Sequence, residues 1–115
     1  MFSIDFRVDF KVPNGLDKEG LMQHNVAFQL MKLSQFWTSL YNIQIVREIS
    51  PDNSSKIVKY VFPDEQTYNN FIAHANDNGV DVVSLFYNYQ AEVQALGGTL
   101  NSNIFEVLGG KLAPT

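Results

Sequence analysis

Hydrophobic and polar residues alternate without a break from position 2 to position 12. The even positions are all apolar, Phe2, Ile4, Phe6, Val8, Phe10 and Val12, and the odd positions between them are polar, Ser3, Asp5, Arg7, Asp9 and Lys11. Successive side chains of a strand point to opposite faces, so this period of two predicts a strand with one buried and one polar face. Pro13-Asn14-Gly15 follows and is typical of a turn.

The period changes to that of a helix over residues 17–40. Apolar residues recur there at three- and four-residue steps, at Met22, Val26, Leu30, Leu33, Trp37 and Leu40. Such a stripe predicts a helix that buries one face. Gly20 weakens its first turns, so the regular part is expected to begin nearer Leu21. Asn42 suits the left-handed residue that ends a helix.

Two segments rich in β-branched residues follow, at residues 43–49 and 56–62. The polar stretch between them, residues 50–55, predicts a hairpin with a longer loop. Asp64 is placed to cap a second helix, whose inward face carries Tyr68, Phe71, Ile72 and Ala75.

Asn76-Asp77-Asn78-Gly79 interrupts this helix. Beyond the break, a helical stripe runs from Val82 to Leu96 and closes at Gly97-Gly98. Residues 80–89 are also β-branched and aromatic enough for a strand, and both alternatives stay open. Residues 103–108 are predicted to form the last strand.

This order of elements predicts an α+β domain of the ferredoxin-like βαββαβ kind. Right-handed crossovers place the first and third strands at the centre of a four-stranded antiparallel sheet. Both helices then lie on one face, and the second is broken. We expect residues 1–110 to form a single domain and residues 111–115 to form a C-terminal tail.

Composition narrows the function classes. The chain has 115 residues, 45% of them hydrophobic and only 17% charged, which favours apolar surface that self-association would cover. The net charge of −4 and eight scattered basic residues disfavour binding to nucleic acid. The absence of cysteine excludes disulfides and thiol chemistry. With neither a secretory leader nor about 20 consecutive apolar residues, we expect a soluble, cytoplasmic protein with no membrane partner.

Residues 61–72, where a strand enters a capped helix with Tyr68 and Phe71 facing the sheet, are similar to a local pattern of the dimeric α+β barrel superfamily. Together with the element order, this resemblance implies a homodimer in which two subunits join the open faces of their sheets. It also implies a pocket between each sheet and its helices.

Candidate chemistry is sparse. His24 and His74 are the only histidines, and neither has a partner at the spacing that chelates a metal, so no metal or cofactor is expected. Asp5, Arg7 and Asp9 share one strand face at steps of about 7 Å. They could hold a cationic or polar ligand or activate a water, or they could simply form a solvated face.

Two hypotheses follow. The first is a domain that binds a partner protein or a small apolar or aromatic molecule, with the ligand contacted by Tyr60, Tyr68, Phe71, Phe86 and Tyr89. The second is a cofactor-free monooxygenase or isomerase of the dimeric α+β barrel type. Its catalytic candidates are His74 or Asp5 as the base, with Arg7 or Tyr60 stabilising an oxyanion.

Overall fold

The computed structural model describes residues 2–22, 42–77, 79 and 81–106. They form strands β1 (Phe2–Asp9), β2 (Gln44–Ile49), β3 (Ser55–Phe62) and β4 (Thr99–Ser102), and helices α1 (Glu65–Asp77) and α2 (Val82–Ala95). Two 3₁₀ helices, Gly15–Leu21 and Asn103–Glu106, follow β1 and β4. The chain is therefore of the α+β class.

The strands form one antiparallel sheet in the order β2-β3-β1-β4. The first and third strands lie at its centre, and the predicted hairpin is confirmed by the pairing of β2 with β3. Phe6 lies opposite Val58 on β3, and Asp5 lies opposite Lys59. Because opposed residues point to the same side, this register separates an apolar face from a polar one.

The core lies on the apolar face only. Phe6 contacts the rings of Phe86 and Tyr89 from α2, with centroid separations of 5.4 and 5.8 Å. On the same face, Phe62 contacts the rings of Tyr68 and Phe71 from α1. Both described helices therefore cover one side of the sheet, and we call the opposite side the open face.

The helix boundaries follow from local chemistry. Asp64 caps α1, since the backbone N–H of Thr67 donates to its Oδ1 at 2.7 Å. The predicted interruption is confirmed, because α1 ends at Asp77 and α2 begins at Val82. The segment for which both strand and helix were open is helical over residues 82–89, which belong to α2. The helix ends at Ala95 with Leu96 as its C-cap, and the predicted Gly97 follows with a φ of 90°, a conformation that glycine adopts without strain.

Two predictions need correction. The first helix was expected over residues 17–40, with its regular part beginning nearer Leu21, but the start of this stretch belongs to a 3₁₀ helix, Gly15–Leu21, that ends in extended backbone at Met22. The remainder of that helix, with His24 and Trp37, lies outside the described residues, although Asn42 does adopt the predicted left-handed conformation.

The last strand was placed at residues 103–108, whereas β4 is Thr99–Ser102 and a 3₁₀ helix begins at Asn103. The strand ends early because side chains take over its hydrogen bonds to β1, as described below. Residues 107–115, including the predicted tail, lie outside the described part of the chain. Across the described residues, no helix has the length and apolar character needed to cross a membrane.

Candidate functional site

Asp5 and Arg7, both predicted as site residues, point to the open face of the central strand β1. Arg7 is flanked there by Ile57 on β3 and Asn101 on β4, its opposite residues in the register. Its side chain is 58% exposed, and its guanidinium lies 4.0 Å from Asp9 Oδ2. An ion pair this long and exposed is weak, so the guanidinium can also bind another anionic partner.

These side chains line a shallow depression of about 520 Å³ on the open face. Its walls come from β1, β3, β4 and the 3₁₀ helix that follows β4, and consist of Asp5, Phe6, Arg7, Ile57, Asn101, Ser102, Asn103 and Phe105. The depression thus combines one acid, one base, amide groups and apolar contact area. A concave surface with a few polar groups is the usual form of a small-molecule site.

Ser102 and Asn103 hold the depression in place beside Asp5. The side-chain oxygen of Asn103 accepts from the Asp5 N–H at 3.0 Å, and its amide group donates to the Ser3 carbonyl at 2.8 Å. The Ser102 hydroxyl donates to the Asp5 carbonyl at 2.7 Å. The Asn103 amide therefore continues the β4 ladder along β1 while the chain itself turns away. Neither residue was predicted as part of a site, because the last strand was placed at residues 103–108, which leaves Ser102 out and makes Asn103 an ordinary strand residue.

The carboxylate of Asp5 has an unusual environment. Its Oδ1 atom is buried and accepts no hydrogen bond. A buried carboxylate oxygen without a donor is energetically costly, and most buried polar atoms of native proteins have a hydrogen-bond partner from the protein, a water or a ligand. Asp5 therefore brings a carboxylate with one unsatisfied acceptor to the lining of the depression.

An aromatic ring forms part of the wall of the depression. The ring of Phe105, partly buried in the wall of the depression, lies 4.5 Å from the ring of Tyr87, centroid to centroid, at a tilt of 33°. Tyr87 comes from α2 and is exposed. The stacked pair fixes the Phe105 ring and extends the apolar surface beyond the depression.

A second polar cluster, absent from the sequence predictions, lies on the helix-covered side. Lys56 Nζ contacts both carboxylate oxygens of Glu19, at 2.7 and 2.8 Å, and the Tyr89 hydroxyl donates to Glu19 Oε2 at 3.1 Å. Burial, reinforced by the Glu19 charge, raises the pKa of Tyr89. The cluster ties the first 3₁₀ helix to β3 and α2. Its members are far apart along the chain, so no local pattern could have revealed it.

The predicted ligand-binding aromatics belong to the core layer between sheet and helices. Tyr68, Phe71, Phe86 and Tyr89 are buried, and Tyr60 is partly buried against them. They do not line the open-face depression. The Tyr68 hydroxyl is buried without a hydrogen-bond partner, and burial raises the pKa of Tyr68 to about 12. Binding of an aromatic ligand within this layer stays a prediction.

The predicted catalytic residues do not come together. His74 is half-buried in the last turn of α1, on the helix-covered side of the sheet, while Asp5 and Arg7 point to the open face. Tyr60 also lies on the helix-covered side, opposite Ile4. The sheet therefore separates His74 and Tyr60 from the other two residues. Among the described residues, no three His, Asp or Glu side chains are grouped to hold a metal ion.

No protein-family model, curated protein or solved structure matches the chain.

Proposed function

We propose that this chain is a small-molecule-binding domain whose site is the open-face depression. The ligand is a small aromatic compound that carries a cationic hydrogen-bond donor, such as an amine. The proposal depends on one observation: Asp5 lines the depression, and its buried Oδ1 atom accepts no hydrogen bond. An ammonium group would satisfy this acceptor with a charge-assisted hydrogen bond.

The remaining walls suit the rest of such a molecule. Phe105 and Ile57 line the depression and offer apolar contact to a ring. Arg7, at the margin, selects against a second cationic group and favours a neutral or anionic substituent. The proposed ligand is therefore a monocationic arylalkylamine or a zwitterion.

The proposed fold is ferredoxin-like, with the chain acting as a homodimer. The central position of β1 and β3, and the placement of the two helices between β3 and β4 on one face, support the later part of the βαββαβ assignment, while the helix expected between β1 and β2 lies outside the described residues. The apolar composition and the exposed β2 strand support the dimer.

The test is a screen by protein-observed NMR with matched pairs of compounds. Each pair contains an arylalkylamine and its neutral isostere, in which a hydroxyl replaces the amine. We expect the amines alone to shift the backbone signals of residues around the depression. Equal binding by neutral isosteres, or shifts confined to the core aromatics such as Phe71 and Phe86, would contradict the proposal.

A further inference from the structure

Arg7 lies in the middle of a row of three residues that crosses the open face. Its opposite residue on β4 is Asn101 and its opposite residue on β3 is Ile57, and all three line the depression. Residues directly opposite each other in an antiparallel pair have Cβ atoms about 4.5–5.5 Å apart. The Arg7 guanidinium and the Asn101 amide are therefore within reach of a single ligand group.

Neither of these two donors has a strong partner among the described residues. Asn101 is exposed, and its side chain makes no hydrogen bond to the described part of the chain. Arg7 has the 4.0 Å contact with Asp9, whose other carboxylate oxygen already accepts from the Lys11 backbone N–H at 2.8 Å. Glu48, the acid beyond Ile57 in the same row, is two strands from Arg7, about 10 Å. The N–H groups of Arg7 and Asn101 can therefore donate to a ligand.

We propose that the ligand of the depression is a free aromatic α-amino acid, whose carboxylate binds Arg7 and Asn101 while its ammonium group binds Asp5. This inference rests on the proposed function and names the ligand class more closely. It adds to the proposed acidic anchor a second, basic anchor for the same molecule.

The spacing of the two anchors fits such a molecule. Asp5 and Arg7 are two positions apart on one strand face, a step of about 7 Å. The amine nitrogen and the carboxyl carbon of an α-amino acid are two bonds apart, about 2.5 Å. With a charge-assisted hydrogen bond of about 2.8 Å at each end, the molecule spans the step from one anchor to the other.

The donors also suit a carboxylate better than other groups. A guanidinium presents its N–H groups as a planar fork that matches the two oxygens of a carboxylate, and an amide NH₂ adds a further donor. A carboxamide or an ester in the same place has no charge for the guanidinium to bind. A residue inside a peptide has neither a free ammonium group nor a free carboxylate. The two anchors together therefore select the free amino acid over simple amines and over peptides.

The experiment compares phenylalanine with phenylalaninamide, which has the same shape but no carboxylate charge. Both are titrated calorimetrically at pH 6, where their amines are protonated. We expect the wild-type protein to bind phenylalanine at least tenfold more tightly than phenylalaninamide. Arg7→Gln should bring the two affinities within threefold of each other, and Asn101→Ala should reduce the preference at least threefold.

Lys11→Gln is the matched control, because it also removes one positive charge. Lys11 is exposed and does not line the depression. This variant should keep the tenfold preference for phenylalanine, which separates a direct contact with Arg7 from a change in overall charge.

Two sets of results would overturn the inference, and they differ in what they imply for the proposed function. Equal affinity of the wild-type protein for the two compounds, or a tenfold preference that persists in Arg7→Gln, excludes the basic anchor and leaves amine binding at Asp5 in place. No binding of either compound at about 1 mM excludes the amino acid and amine binding together.

Discussion

Replacing Tyr68 with phenylalanine removes one oxygen atom and leaves the ring in place against Phe62. The side chain is fully buried, and its hydroxyl makes no hydrogen bond. Leaving such a group unsatisfied costs about 1–3 kcal/mol, whereas the void left by one oxygen costs less than about 1 kcal/mol. We therefore expect Tyr68→Phe to raise the free energy of unfolding by about 1 kcal/mol, which is about 4 °C in melting temperature for a domain of this size.

Tyr89→Phe provides the opposite case. The Tyr89 hydroxyl is also buried but donates to Glu19, so its removal takes a donor from a largely buried carboxylate. We expect that variant to lose about 1 kcal/mol. Urea unfolding at pH 8 measures both variants. A loss of stability in Tyr68→Phe equal to that in Tyr89→Phe would refute the reasoning, because it would mean that the Tyr68 hydroxyl has a bound partner.

The pH dependence adds a second signature. The pKa of Tyr68 is about 12 in the folded state and about 10 when unfolded, so only the unfolded chain releases this proton between these values. The titration of Tyr68 therefore leaves the free energy of unfolding unchanged below pH 10 and lowers it as the pH rises towards 12. The Tyr68→Phe variant should show a shallower loss of stability over this range than the wild-type protein. Equal slopes would contradict the raised pKa.

Three further predictions follow from the described packing. Phe6→Ala should lower the free energy of unfolding, measured in urea, by about 3–5 kcal/mol, because Phe6 is buried. Val12→Ala, at an exposed position, should lower it by less than about 0.5 kcal/mol. A loss below about 1 kcal/mol for Phe6→Ala would mean that this face of β1 is not the core face. Gly15→Ala should destabilise the fold by about 1–3 kcal/mol, because the new Cβ would overlap the side chain of Phe10. Gly20→Ala is the control and should be neutral or slightly stabilising, since the space around Gly20 is open. Equal effects of the two substitutions would exclude the overlap. The hydrogen bond from the Thr67 backbone N–H lowers the pKa of Asp64 below its ordinary value of 3.8. The stabilisation by this cap is therefore present above pH 3.8 and is lost as the pH falls through the folded-state pKa. An NMR titration that gave Asp64 a pKa above 3.8 would contradict the cap.

Much of the sheet could be predicted because its pattern is local. The alternation along β1 assigned Phe6 to the core and Asp5 and Arg7 to one polar face. This assignment needs only the rule that successive side chains of a strand point to opposite faces. The hairpin and the end of α2 before Gly97 were likewise marked by residues whose backbone preferences are strong.

The last strand was misplaced because its own pattern is weak. Thr99–Ser102 contains a single apolar residue, Leu100, whereas the run that follows is richer in β-branched and aromatic residues. What ends the strand is the bonding of Asn103 to the backbone of β1, a contact between residues about a hundred positions apart. For the same reason, the sequence places Asp5 on a face of the sheet but does not reveal the Asn103 contacts that shape the depression around it.

Calorimetric titration measures whether the Asp5 carboxylate binds the donor group of the ligand. The same arylalkylamine is titrated into the wild-type protein, Asp5→Asn and Asp9→Asn. Asp9 lies on the same strand face but does not line the depression, so its variant controls for the loss of one negative charge. We predict that Asp5→Asn weakens binding at least tenfold, about 1.4 kcal/mol, while Asp9→Asn changes it less than threefold. Equal affinities for the wild-type protein and Asp5→Asn would contradict the account.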